Sequence, residues 1–217
     1  FLSNGRMLPA FGLGSMRSAD YAATGTPTAR RGKRANEALE LMARLWTESS
    51  VTFEGDFYQY QDAMIEPKPA NPHIPLWIGG SSEVAMRRTA RYGTGWLGGL
   101  DTPEQAAVMV SGIREKLAEY GRNIDDDHYG ATFSYFIGNE DAEAADDARR
   151  SMITRLKKDP SPYMAVGDAS EVIARIEAFR GAGCSKFVLM RMGRGWTDIS
   201  EQTRLLIEQV LPEYEGQ

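Results

Sequence analysis

Short apolar segments that end in glycine alternate with amphipathic helical patterns along the 217-residue chain. The apolar segments fit buried strands, and the patterns between them repeat with the helical period. Such alternation favours βα units around a parallel sheet, because parallel strands need a crossover connection that a helix supplies. The glycines that close the predicted strands are Gly14, Gly79, Gly98, Gly138 and Gly193. The sequence therefore predicts an α/β protein.

Two α/β architectures fit this order of elements, an open doubly wound sheet and a (β/α)8 barrel. A complete barrel takes about 250 residues, whereas the pattern yields about five βα units. The first predicted strand, at residues 7–13, follows almost directly on Phe1. The residue pattern alone leaves both architectures open.

Charge and composition argue against several classes of function. The net charge is −5 without a block of like charges, which disfavours binding to nucleic acid. The single cysteine, Cys184, excludes an internal disulfide, and no apolar run reaches the length of a membrane span. No Cys/His cluster has metal-ligand spacing, so no metal site is predicted. We therefore predict a soluble, cytoplasmic protein that binds neither nucleic acid nor a membrane.

The segment from Ile74 to Trp96 carries the strongest functional signal. It contains a predicted strand at residues 76–78, the turn Gly79-Gly80-Ser81-Ser82, and a helix that begins at the turn. Backbone N–H groups, hydroxyls and a helix dipole directed at one point favour a phosphate. A plain strand-to-helix turn explains the same glycines, and spacing alone does not separate the two interpretations.

Several side chains have a structural interpretation. Arg34 and Glu37 are three residues apart, which predicts an ion pair on a helix surface. We expect Arg87, Arg88 and Arg91 to form a solvated helix face, with contact between one of them and a phosphate as the alternative. Other expected structural residues are the capping segments at 102–105, 168–171 and 198–201, the core residues Trp77 and Trp96, and the buried Cys184.

An ordered set of motifs resembles the bacterial luciferase-like flavin monooxygenases, a group that includes deazaflavin-dependent oxidoreductases. The motifs are Phe11-Gly-Leu-Gly-Ser15, Arg31-Gly-Lys-Arg34, Phe53-Glu-Gly55, Pro67-Lys-Pro69, Pro75-Leu-Trp-Ile-Gly-Gly80 and Gly95-Trp96. The resemblance implies a (β/α)8 TIM barrel of the luciferase-like type. It also implies that the chain is one domain over 1–217, holding about the last five βα units and lacking the first three.

The resemblance also implies a cofactor site at the carboxyl ends of the strands. Its cofactor-binding residues would be Gly79, Gly80, Ser81, Ser82, Gly12, Gly14 and Ser15. Arg194, just past the last predicted strand, is the candidate for contact with an anionic substrate group. His73 and His128 lie near the amino ends of strands, away from the expected site, so no catalytic residue is assigned.

The function implied by the resemblance is monooxygenation of a small organic substrate with reduced flavin mononucleotide (FMN) and oxygen. Hydride transfer with the deazaflavin coenzyme F420 is the alternative, and a flavin-binding protein without turnover is a third. The implied partners are a flavin reductase and a second copy of the chain in a homodimer.

Overall fold

A computed structural model of the chain describes residues 3–14, 19–139 and 143–215. The chain divides into two compact units, one formed by Phe1–Leu97 and Ile113–Asp125 and the other by Gly98–Gly112 and Asp126–Gln217. Within the described ranges, no helix is long and apolar enough to span a membrane. The assignment of 1–217 as one domain stays a prediction.

Strands and helices alternate as the sequence predicts. The strands are β1 (Ala10–Phe11), β2 (Val51–Glu54), β3 (Gln59–Ala63), β4 (Trp77–Gly79), β5 (Gly95–Leu100), β6 (Tyr129–Ile137), β7 (Met164–Gly167) and β8 (Lys186–Arg191). The helices are α1 (Ala19–Ala23), α2 (Arg31–Thr47), α3 (Glu83–Tyr92), α4 (Pro103–Glu119), α5 (Glu143–Leu156), α6 (Ala169–Gly181) and α7 (Gly195–Gln209). Short 3-10 turns occur at Ser161–Tyr163 and Leu211–Tyr214.

The first unit is built on parallel strands. β1 pairs with β4, and β4 pairs with β5, both in parallel. The helices α2 and α3 supply crossover connections, and α2 covers the sheet with apolar side chains. The buried residues of this core are Leu39, Leu76 and Ile78, against which Phe11, Met42, Trp46 and Tyr92 pack.

The second unit is also parallel. Both β7 and β8 pair with β6, so Ser134 of β6 faces Met164 in one ladder and Met190 in the other. Helix α6 packs against β6, where the rings of Phe133 and Phe179 stack with centroids 5.7 Å apart. The α/β class with parallel strands is thus confirmed, while the partial barrel of five βα units stays a prediction.

The first strand is shorter than the predicted segment at residues 7–13. Only Ala10 and Phe11 join the ladder, and Met7 and Leu8 are 66% and 56% exposed. Pro9 has no N–H to donate, although its carbonyl accepts a hydrogen bond from the Trp77 N–H at 3.0 Å. Proline therefore limits the pairing on the amino-terminal side.

Two of the three predicted helix caps are confirmed. Thr102 and Gln105 exchange hydrogen bonds between side chain and backbone at 2.9 and 3.3 Å, which completes a capping box. The Asp168 side chain accepts from the Ser170 N–H at 2.9 Å. The third prediction is wrong, because α7 begins at Gly195 and Asp198 lies in its first turn, where its carboxylate accepts from the Arg194 N–H.

The predicted Arg34–Glu37 ion pair is also replaced by other contacts. The Glu37 carboxylate accepts the backbone N–H groups of Asp56, Phe57 and Tyr58 at 3.1, 2.9 and 3.3 Å. These residues form the loop between β2 and β3, which pair in an antiparallel hairpin. Arg34 instead donates to the carbonyl of Pro27 at 2.8 Å. Glu37 therefore fastens the hairpin to α2.

We expect Glu37→Ala to destabilise the protein by about 2 kcal/mol, because three hairpin N–H groups lose their acceptor. Glu37→Gln keeps one carbonyl oxygen and should cost less. Glu40→Ala, on the exposed side of the same helix, serves as the control. Urea denaturation measures all three variants, and equal stability of Glu37→Ala and Glu40→Ala would contradict this role.

Candidate functional site

The segment Gly79-Gly80-Ser81-Ser82 forms the predicted turn between β4 and α3. β4 ends at Gly79, and Gly80 has a φ of 113°, a region that L side chains rarely adopt. Ser82 is the N-cap of α3, and its hydroxyl accepts from the Ala85 N–H at 3.3 Å. The first N–H groups of a helix have no acceptor inside the helix. The turn therefore presents backbone donors at the carboxyl end of β4.

A buried indole fixes the orientation of this turn. The Trp96 side chain is fully buried, as predicted, and its Nε1–H donates to the Gly80 carbonyl at 2.9 Å. In a trans peptide, the carbonyl and the following N–H point in opposite directions. The Ser81 N–H therefore points away from the indole, and Ser81 itself is exposed.

The other predicted glycines lie at the same sheet edge. A Cβ at Gly79 would lie 3.8 Å from the Gly12 Cα and 3.6 Å from the Leu97 carbonyl oxygen. Gly14 has a φ of 67°, and its carbonyl accepts from Arg31 Nη1 at 2.7 Å. The structure therefore brings Gly12 and Gly79 together at the carboxyl ends of the adjacent strands β1 and β4. Ser15 lies outside the described residues.

The arrangement fits a phosphate. A phosphate offers only acceptors, and the turn offers the Ser81 N–H, the first N–H groups of α3 and the exposed Ser81 hydroxyl. Glu83, the first residue of α3, is acidic, but its carboxylate pairs with Arg87 at 2.6 Å. That ion pair reduces the repulsion between Glu83 and an anion at the turn.

Comparison with known families matches residues 2–170 to the luciferase-like monooxygenases. The chain belongs to this family. The matched stretch contains β1, the turn after β4, and helices α2 and α3. The resemblance inferred from the ordered motifs is thus confirmed.

Two curated relatives illustrate the chemistry found among luciferase-like proteins. The F420-dependent glucose-6-phosphate dehydrogenase of Intrasporangium calvum is 34% identical over 131 residues, which make up 58% of this chain and 39% of that protein. The pyrimidine monooxygenase RutA of Allorhizobium ampelinum is 34% identical over 99 residues, 44% of this chain and 27% of that protein. The chain therefore spans less than half the length of these relatives.

Solved structures share the luciferase-like fold. An F420-dependent secondary alcohol dehydrogenase, in complex with an F420–acetone adduct, superposes with a TM-score of 0.77 at 22% identity, covering 95% of this chain and 69% of that one. The oxygenating constituent of 3,6-diketocamphane monooxygenase from Pseudomonas putida, in complex with FMN, superposes with a TM-score of 0.69 at 16% identity. The match covers 97% of this chain and 71% of that one. At these identities the similarity shows the fold alone.

The expectation that Arg88 is solvated is wrong. Arg88 is 6% exposed, and its guanidinium donates to Asn36 Oδ1 at 2.8 Å and to the Gly32 carbonyl at 3.5 Å. Burial lowers the pKa of Arg88, and the charge of Arg31 lowers it further. The side chain links α3 to the first turns of α2. Its spacing of three residues from the buried Ala85 is the sequence signal that could have revealed it.

Arg87 and Arg91 follow the prediction more closely. Arg87 pairs with Glu83 on the surface, and the Arg91 guanidinium lies 5.1 Å from the centre of the Tyr92 ring.

A cavity of about 110 Å³ lies between α2 and the strand ends. Arg88 lines this cavity together with Gly12 and Gly79, so a buried cation lies beside the two glycines of the predicted cofactor edge.

Arg194, the candidate for substrate binding, lies in the second unit directly before α7. Its guanidinium pairs with Asp147 and with Glu143 of α5, the latter at 3.4 Å. An anionic substrate would therefore compete with two carboxylates for this side chain. Its role in substrate binding stays a prediction.

The remaining titratable candidates agree with a structural interpretation. His128 directly precedes β6 and His73 lies in the proline-rich segment before β4, as expected. Cys184 is 2% exposed, and burial, followed by the nearby charge of Asp101, raises the pKa of its thiol to about 11. Cys184 is therefore a neutral core residue at physiological pH.

Native Cys184 should resist alkylation by iodoacetamide at pH 8, because the reactive thiolate is scarce and the side chain is inaccessible. In 6 M guanidinium chloride the same thiol should react completely within minutes, which mass spectrometry measures. Rapid labelling of the folded protein would show that Cys184 is accessible.

Gly80→Ala should destabilise the protein by about 1–3 kcal/mol, because alanine is strained at a φ of 113° and its Cβ would lie 3.3 Å from the Ala85 Cβ. Gly79→Ala is the matched control, since its Cβ would meet only ordinary contacts at 3.6–3.8 Å. Thermal unfolding compares the two variants. A larger loss in Gly79→Ala than in Gly80→Ala would refute this account of the turn.

Proposed function

We propose that the chain carries the phosphate-binding part of a flavin-type oxidoreductase of the luciferase-like family. The observation that supports this most strongly is the turn after β4. There the Trp96–Gly80 hydrogen bond orients the Ser81 N–H, and the N-terminus of α3 adds further donors. Phosphate is common to FMN and to coenzyme F420, so the same turn suits either cofactor.

Each residue at the carboxyl ends of β1 and β4 has a role in this proposal. Ser81, Ser82 and the first N–H groups of α3 hold the phosphate. Gly79 and Gly12 leave room for the cofactor to approach the backbone, because neither has a side chain. Gly14 would contact the ribityl chain and the ring, the role that the family resemblance also implies for Ser15. When bound, the cofactor supplies the redox chemistry, and these residues hold it in place.

We propose monooxygenation with reduced FMN and oxygen as the reaction, with a small organic substrate and a reductase as partners. Hydride transfer with F420 is the second candidate. It is favoured by the F420-dependent dehydrogenase of I. calvum, whose alignment covers 58% of this chain, against 44% for the pyrimidine monooxygenase. We further propose that Arg194 contacts an anionic group of the substrate and that the protein is a cytoplasmic homodimer.

Ser81→Asp tests the phosphate site. A carboxylate beside the bound phosphate should weaken binding of FMN or F420 about tenfold or more, since two like charges about 6 Å apart repel by roughly 1–3 kcal/mol near a protein surface. Ser81→Asn has a similar size and no charge, and should bind within about threefold of the parent. Fluorescence titration of each cofactor measures the dissociation constants.

Ser50→Asp provides a control for the added charge. Ser50 is exposed just beyond the carboxyl end of α2. Because α2 returns antiparallel to the strands, this position lies away from the carboxyl edge of the sheet. Equal affinities for the parent and for Ser81→Asp, with unchanged melting temperatures, would reject the proposed phosphate site.

The cofactor decides between the two reactions. Oxidised FMN gives a yellow protein with green fluorescence, whereas F420 absorbs at shorter wavelength and fluoresces blue. The parent is therefore titrated with both cofactors, and turnover is measured with the one that binds more tightly. Tight binding without consumption of the reduced cofactor would favour a flavin-binding protein over an enzyme.

A further inference from the structure

A groove of about 800 Å³ lies in the second unit at the carboxyl end of β6. Phe136 and Ile137, the last residues of β6, form part of its wall, and residues 196–205 of α7 form another part. Its apolar lining residues are Phe136, Ile137, Ala144, Trp196 and Leu205. Small-molecule sites commonly have volumes of about 300–1,000 Å³, and in α/β proteins they lie outside the carboxyl ends of strands.

Trp196 is the most distinctive lining residue of this groove, because its large apolar side chain is exposed. It is 81% exposed, whereas Trp77 and Trp96 are 5% and 0% exposed. An indole left in water forgoes the favourable free energy of burying a large apolar surface. A flat ring placed against Trp196 would recover part of that free energy.

The charged groups on the rim already have partners. Arg204 pairs with Glu201 at 2.6 Å and also with Glu208. The Asp198 carboxylate accepts the Arg194 N–H at 2.8 Å. The lining holds two carboxylates, Asp198 and Glu201, and one guanidinium, Arg204, so the rim is net negative and disfavours an anionic ligand. The hydroxyl groups of Thr197 and Ser200, which also line it, can bond a polar edge of the ligand.

We infer that this groove binds an uncharged, planar aromatic compound that stacks on Trp196. The apolar wall favours burial of its ring, and the net negative rim disfavours an anion. Both rim carboxylates already accept hydrogen bonds within the protein, which disfavours a cation. The two hydroxyls favour a carbonyl or hydroxyl substituent. The inference goes beyond the proposed function, because it uses only residues of the second unit and requires no bound cofactor.

Equilibrium dialysis of the full chain against coumarin and 2-naphthol, without cofactor, tests the inference. We expect saturable one-to-one binding of at least one probe below about 1 mM, and none of cyclohexanol, which is not planar. Trp196→Ala and Ala144→Phe, which remove the stacking surface and fill the groove, should each weaken binding about fivefold or more. Trp196→Phe should stay within about twofold.

Val108→Ala is the matched control, because Val108 is 65% exposed on α4 and does not line the groove. It should bind the probes like the parent. Absence of saturable binding of both probes would overturn the inference, as would binding that neither Trp196→Ala nor Ala144→Phe weakens. Sedimentation that shows a dimer lost in Trp196→Ala would also overturn it, since a second copy would then cover the indole.

Discussion

The hydrogen bond between the Trp96 indole and the Gly80 carbonyl holds the candidate cofactor site in its conformation. A fully buried indole N–H needs an acceptor, and leaving it without one would cost about 1–3 kcal/mol. The carbonyl can serve as that acceptor because Gly80 adopts a φ of 113°. The same peptide carries the Ser81 N–H on its opposite side. One interaction thus stabilises the fold and directs a donor toward the place where a phosphate would bind.

Arg88 stabilises the packing beside this site, because its hydrogen bonds join α3 to α2. A guanidinium is costly to bury, and here it is held by a side-chain amide and a backbone carbonyl of α2 instead of a carboxylate. Its hydrogen bonds join the helix that begins at the turn to α2, and its side chain lines the same cavity as Gly12 and Gly79. Arg88 therefore packs directly behind the glycines at the carboxyl ends of β1 and β4.

Local patterns in the sequence predicted much of this arrangement. The strand–turn–helix around Gly79 and the capping box at Thr102 depend on residues within a few positions of one another, so periodicity and turn chemistry suffice. The roles of Glu37 and Arg88 could not be found this way. Glu37 contacts residues 19 to 21 positions away, and Arg88 contacts Asn36 across 52 positions. In isolation each resembles an ordinary charged residue on a helix surface. The long-range packing that changes their roles leaves only a weak local trace.

The exposure of Trp196 has a consequence that follows from another residue of the same helix. The Gln202 side-chain amide is buried and bonds both the N–H and the carbonyl of Ile137, at 2.7 and 2.8 Å, while the Tyr135 hydroxyl donates to the Gln202 carbonyl. These three bonds lock α7 against rotation about its own axis. A roll of the helix that hid the indole would break these bonds, so they hold the backbone of Trp196 in position. A ligand that stacks on Trp196 therefore meets a helix that need not turn to present the indole.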